Sequence, residues 1–467
     1  MDRSERIIRF GNDGWHARFD GGFTEDNVVR LADALGLAWG QDHPGGVVVV
    51  GYDTRHDACR LARVVAGTLA SYGLATRLSD RVCPTPAVGW TCANTPGAVG
   101  GVILTSSERS CEYGGILVRG ADGGSVSRTF LDQVEQLVST VPTTSRGPFT
   151  TVDIMTPYMD GLRSMVDADV IRAAAPKVVV DPMYGAGRLC LAELLRSLGC
   201  VVSEMHAELM SDFGGIHPDP QDPWADKCEQ AVITLGADMG IVLDGDGDRC
   251  CIIDEHGRIL TSHQLIPLVL GELVEGRGMH GRVVTTLSSS VSVMRQAERL
   301  GCGFTSVPVA FLRLYREVRE GDVLLAAEEY GGICIPDHLL ERDGLLASLY
   351  MVELVSRTHM TVSELVADLE SKIGRRCYAR RDVRLDSGST MVMRNVLPGF
   401  NPETFAGREP VEVSHAEGLR LSFADDAWVL MRPSRADNVV RVYAEATSER
   451  ERDELLEAAF ETVRTGI

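Results

Sequence analysis

The chain reads as an α/β protein of several layered units, closed by a smaller α+β unit at its C-terminal end. Three observations carry that reading. Short β-rich runs alternate with helical stretches for most of the length, the alternation stops after about Arg375, and 467 residues exceed what one hydrophobic core organises. That length points to about three or four domains.

In chain order, the apolar runs at 47–50, 102–104, 178–180, 241–243, 283–286 and 323–326 are rich in Val, Ile and Leu and short enough for buried strands. Helical periodicity falls between them, at 59–72, 189–198, 291–300 and 344–355. Strand and helix alternating at this spacing predict mixed, largely parallel sheets covered on both faces. After residue 375 the strand-like runs 419–423, 428–432 and 439–444 follow one another directly, before a charged helix at 449–463. Joints near residues 142–148 and near Ser262 complete the division into 1–147, 148–261, 262–375 and 376–467.

The formal net charge of −20 argues against nucleic-acid or anionic-membrane partners, and it requires any anionic substrate to be met by local cations. Twelve cysteines without a CxxC pair read as reduced, structural thiols. The opening residues lack the apolar core of a signal peptide, and no apolar run approaches the ~18 residues of a membrane span. A soluble, cytoplasmic protein is the expectation.

Chemistry concentrates in Asp244-Gly245-Asp246-Gly247-Asp248-Arg249, launched by the apolar run Met239-Gly240-Ile241-Val242-Leu243. A buried strand feeding a glycine-rich loop lets three carboxylates converge on a hard cation such as Mg²⁺, which takes oxygen ligands and leaves positions for phosphate. Arg249 adds a forked donor suited to that phosphate. An EF-hand loop would share the acidic spacing and place its bidentate carboxylate at Glu255, but Arg249 stands where that loop needs glycine. A haloacid-dehalogenase-type loop needs Thr or Val where Asp248 stands. A bare acidic turn would suffer repulsion that only a cation offsets. A second loop, after the run Gly101-Val102-Ile103-Leu104, places Ser106 and Ser107 just past a strand end, where a serine can carry chemistry.

Together these segments resemble the α-D-phosphohexomutase superfamily, the phosphoglucomutases and phosphomannomutases, in order along nearly the whole chain. The matches run from Phe10-Gly11-Asn12-Asp13-Gly14-Trp15 through Gly51-Tyr52-Asp53-Thr54-Arg55 to the nucleophile loop Thr105-Ser106-Ser107-Glu108-Arg109-Ser110. Asp181-Pro182-Met183-Tyr184-Gly185-Ala186-Gly187 and the Asp244–Arg249 loop follow, then Glu328-Glu329-Tyr330-Gly331-Gly332 with His338 and Glu341-Arg342-Asp343-Gly344. Arg432-Pro433-Ser434-Arg435-Ala436-Asp437 resembles the terminal phosphate loop.

The resemblance implies four domains around a central cleft and a phosphoryl relay through a phosphoserine at Ser107, with a hexose 1,6-bisphosphate as activator and intermediate. It implies Mg²⁺ held by Ser107, Asp244, Asp246 and Asp248, charge stabilisation by Arg249, sugar contacts from Glu328 and Tyr330, and a distal phosphate held by Arg432, Ser434 and Arg435. The expected partner is a phosphorylated sugar, and the expected assembly a monomer or homodimer. Departures cluster where substrate would touch. His16 replaces an Arg, Leu117 and Leu312 replace Lys, Glu108, Arg109 and Ser110 replace His, Asn and Pro, Tyr330 replaces Ser, and Arg435-Ala436 replace Gly-Thr. Two accounts fit them. Either the pocket is rebuilt for another phosphorylated ligand with His16 moving protons, or catalysis has decayed and the chain binds a phosphosugar or metal without turnover.

Overall fold

A computed structural model describes residues 8–11, 14–434 and 438–466. Its first sheet holds β1 (Gly14–Arg18), β2 (Val47–Tyr52), β3 (Ala75–Ser79), β4 (Ala98–Leu104), β5 (Tyr113–Gly120) and β6 (Thr150–Val152), in the order β1-β5-β4-β2-β3-β6. The second holds β7 (Lys177–Asp181), β8 (Val201–Glu204), β9 (Met239–Leu243) and β10 (Cys250–Ile253), ordered β10-β9-β7-β8. The third holds β11 (Arg282–Thr286), β12 (Phe304–Val307), β13 (Val323–Ala327) and β14 (Ile333–Cys334), ordered β12-β11-β13-β14. The fourth is antiparallel throughout: β15 (Cys377–Arg384), β16 (Glu412–Ser414), β17 (Leu419–Ser422), β18 (Trp428–Pro433) and β19 (Val439–Ala446), ordered β15-β19-β18-β17-β16.

One pattern recurs in the first three sheets. The inner strands pair in parallel, and the last of them turns back into an antiparallel strand: β4 with β5, β9 with β10, β13 with β14. A parallel crossover needs a dozen or more residues, so the six-residue loop between β9 and β10 dictates the antiparallel return. The sheets are mixed for that reason. β6 pairs in parallel with β3 and so carries the first sheet past residue 147.

The helices cover these sheets nearly where periodicity places them, for example Ala58–Ala70, Val291–Arg299 and Gly344–Thr358. The last is capped by Asp343, whose carboxylate accepts the amides of Leu345 and Leu346 at 3.0 Å. A single apolar core runs through the first three units, from Val49 and Leu117 by way of Ile241 and Leu243 to Leu325 and Tyr350. The fourth unit has its own core and meets the third across Val291, Trp428, Leu430 and Tyr443. No helix among the described residues is long and apolar enough to cross a membrane, and all twelve cysteines are unpaired.

Candidate active site

Each recurrent hairpin delivers one loop, and the loops meet. β9 is buried along its whole length and Asp244 follows its last residue directly, so the hexad starts inside the molecule. Asp244, Asp246 and Asp248 are fully buried, with one carboxylate oxygen of each within 4.8 Å of the others. Two glycines permit the curl: Gly247 has φ +73°, and a Cβ on Gly245 would stand 2.5 Å from the Ser107 carbonyl oxygen. Asp244 Oδ1 accepts the Arg249 amide at 3.1 Å, and Asp246 Oδ2 accepts the Thr85 hydroxyl at 2.5 Å. Among the described residues Asp246 Oδ1 and both Asp248 oxygens accept no hydrogen bond, although an Arg342 nitrogen lies 2.8 Å from Asp248 Oδ2. Burial, then mutual repulsion, lifts Asp244 well above the carboxylate range and Asp246 up to about 7. Converging, buried, under-satisfied oxygens are the donor set of a hard divalent cation. The EF-hand alternative, set aside on sequence, gains nothing from the structure: Glu255 accepts the Ser363 amide at 3.2 Å.

Ser107 reaches this triad from the β4–β5 loop. Its hydroxyl donates to Asp244 Oδ2 at 3.1 Å, and its backbone sits at φ +50°, a strained setting for a residue with a side chain. Buried Arg55 holds the loop in place. Its Nη2 donates to the carbonyls of Ser107 and Arg109 at 2.6 Å each, and its Nη1 to those of Ser110 at 2.7 Å and Tyr113 at 3.0 Å. Asp53 fixes the Arg55 Nε in turn at 3.0 Å. His16, on β1, places Nδ1 2.9 Å from the Ser106 hydroxyl. His16, Ser107, Glu108, Leu117, Arg249 and Arg342 all line one cavity of about 70 Å³. Arg109, exposed, stands over the Tyr113 ring at 5.6 Å.

The replaced positions change the charge of this cavity. Glu108 accepts from Arg249 Nη1 at 3.1 Å. Burial opposes its ionisation, but the Arg249 guanidinium leads the groups that outweigh it and hold Glu108 down at about 2. Leu117 is buried in the strand opposite β1, and Leu312 packs on the apolar cluster of the third unit.

Glu328, in the β13–β14 loop, lies 3.5 Å from Arg249 Nε and accepts from Arg342 Nη1 at 2.7 Å. Arg342 thereby touches both the acidic loop and the sugar-type loop. Tyr330 is 37% exposed, with the Arg249 and Arg380 guanidinium groups 5.8 and 4.7 Å from its ring centre, so it spans the second, third and fourth units. His338 is a buried partner of Asp343 at 3.0 Å, part of the helix cap rather than of the cavity. At the β18–β19 turn Arg432 pairs with Glu417 at 2.9 Å, and buried Ser434 donates its amide to Val439 at 2.8 Å. Arg435 lies outside the described residues, as do Asn12 and Asp13.

The geometry thus gathers His16, Ser107, Asp244, Asp246, Asp248, Arg249, Glu328 and Tyr330 about one centre, with Arg432 and Ser434 on the fourth unit's loop. Three residues gain importance that sequence reasoning did not give them: Arg55 as the clamp of the serine loop, Thr85 as a holder of Asp246, and Arg342 as a bridge. Thr85 was findable only as the start of a helix after Pro84.

Fold and site together define a phosphate-handling α/β enzyme class, and the comparisons say which. Family models for phosphoglucomutase/phosphomannomutase α/β/α domains I, II and III match residues 8–144, 156–257 and 261–373. A Thermococcus kodakarensis phosphoglucomutase/phosphomannomutase is 29% identical, over 95% of this chain and 96% of its own. A phosphoglucosamine/phosphogalactosamine mutase of Sulfurisphaera tokodaii is 26% identical over 94% and 95%. The crystal structure of a candidate phosphomannomutase from Thermus thermophilus superimposes with a TM-score of 0.88 at 30% identity, covering 98% of this chain and 99% of the other. The chain belongs to the phosphoglucomutase/phosphomannomutase family of the α-D-phosphohexomutase superfamily, a family of phosphosugar-mutase isomerases.

Proposed function

We propose that the protein is a Mg²⁺-dependent phosphohexomutase that moves a phosphoryl group between two positions of a hexose phosphate by way of phosphorylated Ser107 and a bisphosphorylated sugar. The observation that carries this is the Ser107 hydroxyl 3.1 Å from Asp244, at the edge of three buried carboxylates with oxygens to spare. Asp244, Asp246 and Asp248, with an oxygen of Ser107, would hold the cation. It supplies charge neutralisation to the transferring phosphoryl group.

The chain's own residues account for the rest. Arg55 fixes the serine loop for in-line approach, and Arg249 offers a guanidinium to phosphate oxygens. Glu328 and Tyr330 would meet the sugar, while Arg432, Ser434 and Arg435 hold the phosphate that is not reacting. Proton transfer to and from the sugar hydroxyl falls to His16. The chain has three lysines, Lys177, Lys227 and Lys372, and all are exposed, so no lysine amine takes that role in the cleft. The four units, divided at 147, 261 and 375, act as four loop donors in a cytoplasmic protein, monomeric or dimeric.

A second reading rests on one observation. Arg249 of the cavity is already paired with Glu108, so the chain would serve as a regulatory or binding homologue that holds a phosphosugar or metal without turnover. Intact mass and peptide mapping separate the two. Incubation with Mg²⁺ and glucose 1,6-bisphosphate adds phosphate at Ser107 if the relay operates, and Ser107→Ala abolishes both the adduct and turnover. Phosphate uptake and turnover persisting in Ser107→Ala would sink the assignment.

A further inference from the structure

A second cavity lies where the chain passes from the third unit to the fourth. Its walls are the linker residues Gly374, Arg375 and Arg376 and the N-terminal ends of helices Ser262–Gly271 and Val291–Arg299, and Glu445 of β19 forms part of its lining. It encloses about 200 Å³. Pockets for drug-sized ligands run to roughly 300–1,000 Å³, so this one suits a smaller, polar occupant.

Its acceptors are engaged. Buried Glu445 takes the Ser290 hydroxyl, the Val291 amide at 3.0 Å and the Trp428 indole N–H at 2.6 Å. Glu370 accepts from Gln264 at 3.3 Å, and Glu449 pairs with Arg375 at 3.5 Å.

Two of its buried nitrogens lack a hydrogen-bond partner among the described residues. The Arg376 side chain is only 2% exposed; it gives two N–H groups to the carbonyls of Asp425 and Asp426 at 3.1 and 2.5 Å, yet its Nε has no hydrogen-bond partner among the described residues and lies 4.0 Å from Glu445. His263, 7% exposed and packed on Tyr378 with ring centres 3.8 Å apart, also has a partnerless nitrogen, Nδ1. Arg375 and Arg452 are more open, their side chains 65% and 20% exposed. A buried N–H left unmade is costly, and the open Arg376 Nε is a donor that an oxyanion can meet.

We propose that this joint cavity is a binding site for a small oxyanion, of the phosphate or carboxylate class, held by Arg376 within and by Arg375 and Arg452 near the mouth, separate from the catalytic cleft. One strand that lines it, β19, also reaches the terminal phosphate loop. It runs from Val439, just after that loop, to Glu445 in the cavity lining. At about 3.3 Å per residue, the six steps between them span roughly 20 Å. An anion in the joint therefore braces the linker on which the phosphate loop is carried.

Calorimetric titration of the full chain with inorganic phosphate tests the site, with acetate as the carboxylate arm. The same titrations use the double variant Arg375→Ala/Arg452→Ala, Arg376→Gln, and each of these in an Arg432→Ala background that weakens phosphate binding at the catalytic end. The double variant changes one exposed and one partly buried side chain, and circular dichroism checks its fold independently of Arg376→Gln. The expected result is at least a five-fold loss of phosphate or acetate affinity on changing the cavity arginines, in both backgrounds. Isotherms unchanged by the cavity variants, or phosphate binding wholly lost with Arg432→Ala alone, overturn the site. The readout is binding, so failure of the phosphotransfer reading leaves it intact, and the converse holds too.

Discussion

Glu108 sets a charge balance in the cleft. A carboxylate beside Arg249 occupies the guanidinium that a sugar phosphate would seek, so ligand must displace it. Glu108→Gln is expected to tighten phosphosugar binding several-fold, seen as a lower KM or Kd with little change in Tm, because the Glu108 side chain is about one-third exposed (36%). An unchanged or weaker affinity would count against that competition. His16→Ala is expected to lower kcat by roughly 10²- to 10⁴-fold, the usual worth of one acid–base group, while phosphate still enters at Ser107 from a bisphosphate donor. The acidic hexad and the serine were legible because their chemistry is written in residue identity and spacing. The pairing of Glu108 with Arg249 was not, since the two residues are 141 positions apart and no local rule joins them.

Among elements, the β-hairpin return is the repeated device. One short loop at the end of a buried strand brings Ser107, another the acidic triad, a third Glu328, and each meets a residue of a different unit: Asp244, Thr85 and Arg249 respectively. Thr85, at the start of the helix Thr85–Ala93, pins Asp246 by its hydroxyl and takes the Asp246 carbonyl on its amide at 2.9 Å. Thr85→Val removes only the hydroxyl contact and keeps the shape. It is expected to weaken Mg²⁺ or Mn²⁺ affinity by about 10- to 100-fold, the range for groups that orient metal ligands, measured by metal titration. Equal affinity would place Thr85 outside the metal site. The strands and helices that periodicity marks were legible to within a few residues at their ends, although it left the helix Glu25–Asp42 and the strand Tyr113–Gly120 unmarked. Short edge strands such as Ile333–Cys334 were not, because two residues carry no period.

At the scale of the molecule, the order of the units was legible and their docking was not. The shared core of the first three units and the joint to the fourth rest on contacts between residues far apart in sequence, to which patterning is blind. Burial at that joint carries a pH signature. It depresses the His263 pKa to about 3, whereas the unfolded chain's imidazole titrates near ~6.5. The unfolded state alone takes up the proton between those values, so the stability from neutral His263 is full above ~6.5 and is lost as pH falls toward 3. By pH 5 the loss amounts to about 2 kcal/mol. His263→Phe is expected to lose that much less between pH 7.5 and 5 in denaturant unfolding, and parallel curves for the two proteins would refute the assignment.

The scarcity of lysine has a practical consequence. Lys177 and Lys227 lie on the second unit and Lys372 one residue before the end of the helix Val362–Ile373 that leads into the joint. An amine-directed dye or crosslinker thus finds side-chain targets on the outer surface only, leaving the cleft chemically untouched. Labelled stoichiometrically, the protein carries optical rulers between its second unit and the root of its fourth.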